Sequence, residues 1–132
     1  MSDLILAVRD RIRPFNKHVL NPLMLRLAGR RHWYAAVIRY TGRRSGRRYA
    51  TPVVADRVED GLIIPLPYGT RVDWLRNVLA AGRATVQVGG QTYDVVEPTI
   101  IDAAVAEPQL PARRRRLFQH SHIDKYLKLT TT

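Results

Sequence analysis

The chain has 132 residues, 45% of them hydrophobic, which is enough for one domain with a core of its own. It has no cysteine, which excludes disulfides, thiolate metal sites and cysteine nucleophiles. No apolar run reaches the roughly 20 residues of a membrane-spanning helix. The formal net charge is +11, and all of the 22 basic residues except Lys17, Lys125 and Lys128 are arginine, so the expected partners are anionic.

Residues Ser2 to Gly29 are predicted to form helix in two pieces. Leu4, Ile5, Val8, Ile12 and Phe15 recur at helical spacing with arginines between them. Pro14 ends or kinks the first piece, Asn21-Pro22 restarts the second, and Gly29 stops it. The basic amphipathic face is expected to pack on a core. Peripheral contact with an anionic membrane, at the inner face, is the sharper alternative. The N-terminus lacks the order of a signal peptide, so a cytoplasmic location is expected.

From Tyr34 the pattern turns to β. Predicted strands are Tyr34–Tyr40, Tyr49–Arg57, Leu62–Leu66, Ala84–Val88 and Gln91–Pro98, with hairpin signals at Asp60-Gly61 and Gly89-Gly90. One helix is predicted near Arg71–Ala81. Thr70 is its expected cap with Asp73 in the capping-box position, Val72, Leu75, Val78 and Leu79 form its buried stripe, and Gly82 is its stop. After Pro98, short helices are expected over Ile100–Glu107 and Ala112–Gln119, then a last turn between His120 and Leu129 and frayed terminal threonines. The reading is a single domain over 1–132: an N-terminal helical segment over 1–29, a barrel over 34–98 and a helical tail over 99–132. The fold class is mainly β, as a small barrel or curled sheet with peripheral helices.

The most informative stretch is Arg39–Pro52, RYTGRRSGRRYATP. Two strand-like runs flank a loop with two glycines, Gly42 and Gly46, and with Arg43, Arg44, Arg47 and Arg48 around Ser45. Glycines allow backbone N–H groups to turn toward a ligand, and arginines hold anionic oxygens as charged forks. The loop is therefore expected to cradle an anion. Other constellations are poor. His120 and His122 lack further metal ligands, Ser45 is better explained by the cradle than as a nucleophile, and there is no phosphate-binding glycine motif. The charge and the run Arg113–Arg116 motivate a nucleic-acid-binding module. It is disfavoured because aromatic residues do not interleave with the basic ones. For the run itself, a solvated helix face is the expectation.

Three stretches in order, TGRRSGRRYATP, PLPYGTRVDWLRNVLAAGRATVQVGG and the strand ending at Glu97-Pro98, resemble the deazaflavin (coenzyme F420)-dependent nitroreductase and quinone reductase family. The likeness spans roughly residues 16 to 100. Its turn Tyr68-Gly69-Thr70 and helix start Arg71-Val72-Asp73-Trp74 depart from the usual pattern and mark a divergent branch. The resemblance implies a split β-barrel of the flavin- and F420-binding oxidoreductase type. It implies that the loop ending in Thr51 and Pro52 binds the anionic end of F420 (an 8-hydroxy-5-deazaflavin), through Arg43, Arg44, Ser45, Gly46 and Arg48. It implies backbone contacts from Pro67, Tyr68 and Gly69 to the ring, and a site shaped by Trp74, Arg76 and Asn77. Reduced F420 would deliver a hydride to a small electrophilic acceptor (a quinone, nitro compound or activated alkene), with Tyr68 and Tyr126 as candidate proton donors. FMN is the runner-up cofactor and haem a further one, on the same barrel. The chain is expected to be a monomer or homodimer.

Overall fold

The structure, a computed structural model, describes residues 35–132; the helices expected over 1–29 lie outside the described residues. The strands are β1 (Ala35–Thr41), β2 (Arg48–Val54), β3 (Asp56–Val58), β4 (Gly61–Pro65), β5 (Arg83–Val88), β6 (Gln91–Asp102) and β7 (Lys125–Thr131). Helix α1 (Asp73–Ala81) joins β4 to β5. Helix α2 (Ala103–Ala106), a 3-10 turn (Glu107–Gln109) and α3 (Ala112–His120) separate β6 from β7. None of the described helices is long and apolar enough to cross a membrane.

The seven strands of the described residues join one antiparallel sheet in the order β2-β1-β5-β6-β7-β4-β3. Its two edge strands, β2 and β3, are consecutive in the chain with only the buried Ala55 between them. One chain segment thus borders both edges, and the sheet can satisfy this only by curling until those edges approach each other. The single strand expected over Tyr49–Arg57 is this bent pair.

Each face of the curled sheet has its own core. The inner one gathers Ile38, Tyr40, Val53, Leu62, Ile64, Val86, Leu127 and Leu129 from the strands, with Leu75 and Val78 from α1. The outer one joins Val54, Ile63 and Tyr126 to Ala106, Leu110, Leu117 and Phe118 of the covering segment. At the corner beyond Ala55, Arg114 of α3 donates from Nε to Asp56 Oδ1 at 3.0 Å, in a pair largely shielded from water.

Several local expectations change. The segment after Pro98 is helical only over part of its length. Strand β6 continues to Asp102, passing Pro98 through a bulge in which Glu97 takes φ 55° and the register against β7 shifts between Val96 and Thr99. Where a last turn and frayed threonines were expected, β7 lies between β6 and β4. Helix α1 has Val72 as its N-cap without a side-chain hydrogen bond, so Thr70 and Asp73 form no capping box, whereas Gly82 ends it in the left-handed conformation as expected. In the β3–β4 hairpin the turn is Glu59-Asp60, and Gly61 already pairs with Val58. Gly61 is needed for a different reason: a Cβ there would lie 1.8 Å from the carbonyl oxygen of Leu129 in β7.

Candidate functional site

Strands β1 and β2 are paired as far as Thr41 and Arg48, which leaves Gly42–Arg47 as the connecting loop. The loop closes on itself. The Gly42 N–H donates to Arg47 O at 2.8 Å, the Gly46 N–H to Gly42 O at 3.0 Å, and the Arg47 N–H to Ser45 Oγ at 3.2 Å. Ser45 Oγ also lies 3.2 Å from the Tyr49 hydroxyl. The Tyr49 ring stacks on Tyr40 with centroids 5.9 Å apart, and the Tyr40 hydroxyl is 2.8 Å from Thr51 Oγ1 inside the barrel. This aromatic pair fixes the loop to the barrel rim. Gly42 leaves no room for a side chain, since its Cβ would meet Tyr49 Cε2 at 2.7 Å and Ser45 Oγ at 2.8 Å.

The arginines of the loop divide into two groups. Arg43 is tied to α1. Its backbone N–H and its Nη1 both donate to Asn77 Oδ1, at 2.9 and 2.8 Å, and its Nη2 lies 3.7 Å from Asp73 Oδ1. Arg44, Arg47 and Arg48 are exposed, and their guanidinium groups make no hydrogen bond or ion pair among the described residues. The cradle therefore differs from the expected one. The amides of Gly42, Arg43, Gly46 and Arg47 are already hydrogen-bonded within the protein, so the loop presents guanidinium forks more than backbone N–H groups. Arg47 was not among the predicted site residues, although the same RRSGRR string carries it. Unpaired positive charges so close in sequence repel one another, and a ligand bearing a phosphodiester and several carboxylates relieves that repulsion. The residues present fit the anionic end of F420.

The second predicted part of the site follows β4. The Leu66 N–H donates to Lys125 O at 3.0 Å and the Gly69 N–H to Leu66 O at 3.1 Å, which makes Leu66–Gly69 a tight turn with Gly69 at φ 84°. Pro67 has no N–H and that of Gly69 is already used, so fewer backbone donors face outward than the sequence suggested. Tyr68 is half-buried in this turn. On α1, Trp74 is half-buried against the inner core, Arg76 is exposed and Asn77 is buried. Thr51 and Pro52 are buried in β2, and the Thr51 hydroxyl faces Tyr40, so both support the loop from below and present no exposed donor.

Tyr126 does not join the site. It lies in β7 opposite Pro65, but its ring packs in the outer core at 5.9 Å and 61° to Phe118, on the other face of the sheet from α1. The side chain is fully buried and its hydroxyl has no hydrogen-bond partner among the described residues. Burial, followed by the nearby carboxylates of Glu107, Asp124 and Asp56, pushes the phenol well above its ordinary value. The structure thus places Tyr126 in the outer core, away from the loop and α1.

No curated protein matches the chain in sequence. Solved structures share its fold at low identity. An F420 reductase aligns at 11% identity over 81% of this chain and 91% of its own, with TM-score 0.51. A putative pyridoxamine 5'-phosphate oxidase from Listeria innocua aligns at 11% over 98% of this chain and 92% of its own, with TM-score 0.55. The haem storage protein HutZ from Vibrio cholerae aligns at 12% over 86% of this chain and 90% of its own, with TM-score 0.54. These likenesses support the split-barrel architecture. The sequence profile of the F420H(2)-dependent quinone reductases matches residues 22–124, a span that takes in the arginine loop, the Leu66–Gly69 turn and α1. The chain belongs to this F420H(2)-dependent quinone reductase family and is an F420-dependent oxidoreductase.

Proposed function

We propose that the protein reduces a small quinone-class acceptor and grips the anionic end of F420 on the β1–β2 loop. The observation that carries this reading is the set of exposed guanidinium groups of Arg44, Arg47 and Arg48, which are unpaired among the described residues. In this reading Ser45 and Gly46 shape the loop between them. Trp74 and the Pro67–Gly69 turn form the wall for the planar ring, and Arg76 lies at the margin. When bound in its reduced form, F420 supplies a hydride. The chain has to hold the ring against the acceptor, keep water out and provide for one proton at the acceptor oxygen. Tyr68, in the turn that leads to α1, is the side chain assigned to that proton. The quinone class is taken from the family's description.

The test is a fluorescence titration of the purified protein with F420, beside an Arg44→Ala/Arg48→Ala double variant. Each lost charged contact is expected to weaken binding about tenfold. A double variant that titrates like the wild type would put the anionic end elsewhere. An acceptor series comparing a soluble naphthoquinone, a nitroarene and an activated alkene is expected to give the naphthoquinone the highest kcat/KM. A higher value for either of the others would overturn the quinone assignment.

A further inference from the structure

Asn77 is buried in the second turn of α1, between Leu75 and Val78, neither of which has any exposed surface. Those neighbours fix the helix to the inner core, so the Asn77 carbonyl is a fixed acceptor at the base of the loop. It accepts two hydrogen bonds from one residue 34 positions away, the backbone N–H and the Nη1 of Arg43. The backbone bond sets where the loop leaves β1. The side-chain bond folds the guanidinium against α1, where Asp73 adds an ion pair at 3.7 Å. Arg43 is the least exposed arginine of the loop, whereas Arg44, Arg47 and Arg48 point into solvent.

We propose that Asn77 is the positioning residue of the anion loop. By holding Arg43 through both main chain and side chain, it presents Arg44, Arg47 and Arg48 together, and neither Asn77 nor Arg43 contacts the cofactor. The inference rests on the loop reading given under Proposed function. It reverses the expectation that Arg43 and Asn77 are themselves contact residues. A group that positions the loop alters how often the grip is assembled. A group that touches the anion also changes the number of charges neutralised on binding, and with it the dependence on salt.

The experiment uses the full chain and two readouts. The first, without cofactor, is the rate of tryptic nicking after the loop arginines. The second is F420 affinity by fluorescence across a salt series. Asn77→Ala is expected to nick faster and to bind F420 about tenfold more weakly, with the affinity falling as steeply with salt as in the wild type. Asn77→Asp keeps the acceptor and is expected to restore both. The Arg44→Ala/Arg48→Ala variant is expected to bind more weakly with a flatter salt dependence. If Asn77→Ala nicks and binds like the wild type, or flattens the salt dependence, or is not rescued by Asn77→Asp, the positioning role is overturned. If the double arginine variant alone leaves affinity unchanged, the loop reading fails, and the nicking rates still decide whether Asn77 holds the loop. Should Asn77→Ala lose its thermal transition, Arg43→Met decides in its place, since it removes the guanidinium arm without disturbing the helix. Weaker binding with the salt dependence retained supports the proposal, and wild-type binding overturns it.

Discussion

The buried tyrosine of β7 shows how residue type and role can part. Its hydroxyl has no partner among the described residues, so removing it sacrifices no hydrogen bond. Tyr126→Phe should therefore leave stability unchanged or raise it by about 1 kcal/mol, as read by denaturant melts, and leave turnover unaffected. Loss of turnover would return Tyr126 to the chemistry. The same residue predicts an alkaline limit. Burial raises the folded-state pKa of both Tyr40 and Tyr126 above the ordinary value of 10.0. Below that pH the folded and unfolded forms are equally protonated. Above it the unfolded chain releases protons that the folded chain keeps, so stability falls as pH rises until the buried phenols ionise as well. Melts across this range, with tyrosinate absorbance alongside, should show the loss, and Tyr126→Phe should reduce it.

The arginine run also divides residue by residue. Arg114 pairs with Asp56, and Arg115 donates to the carbonyls of Glu107 and Leu110 at 2.9 and 3.1 Å. Arg113 and Arg116 are exposed. The solvated helix face expected for the run therefore describes only half of it. Arg114→Ala is expected to cost about 3–5 kcal/mol, because it strands a buried carboxylate, while Arg113→Ala and Arg116→Ala should stay within about 0.5 kcal/mol in the same chemical melts.

At the scale of elements, the sequence was legible where one face of an element meets water. Helix α1 has a clear apolar stripe and a glycine stop, and the β1–β2 and β5–β6 hairpins carry their turn residues openly. Strand β7 was not legible for a physical reason. Tyr126 faces the outer core while Leu127 and Leu129 face the inner one, so KYLKLTT lacks the alternation that marks a half-buried strand. Strand β6 was cut short at Pro98 because the sequence does not announce the bulge that accommodates that proline. In the site, the arginine string was legible as a cation cluster. The division of labour within it was not, because it depends on Asn77, far away in the chain. A prediction follows for β7. Leu127→Ala or Leu129→Ala should each cost about 2–5 kcal/mol, and a chain truncated after Ser121 should lose cooperative unfolding altogether. A cooperative melt of the truncated chain would show that β7 is dispensable.

For the whole molecule, the +11 charge and the curled sheet act on different properties. The sheet sets the shape: two apolar cores on opposite faces, with β2 and β3 sharing one segment across both edges. The charge governs encounter with anionic ligands and its sensitivity to salt. Strand β7 also affects how the molecule comes into being. Without β7 the remaining strands form two separate sets, β2-β1-β5-β6 and the β3–β4 hairpin, and both pair only with it at their inner borders. In synthesis β7 emerges after every strand it joins. Neither apolar core can close before it does, and the covering helices that precede it have nothing finished to cover. Until β7 pairs, the two half-built sheets present open borders, which are prone to aggregation and to capture by a chaperone.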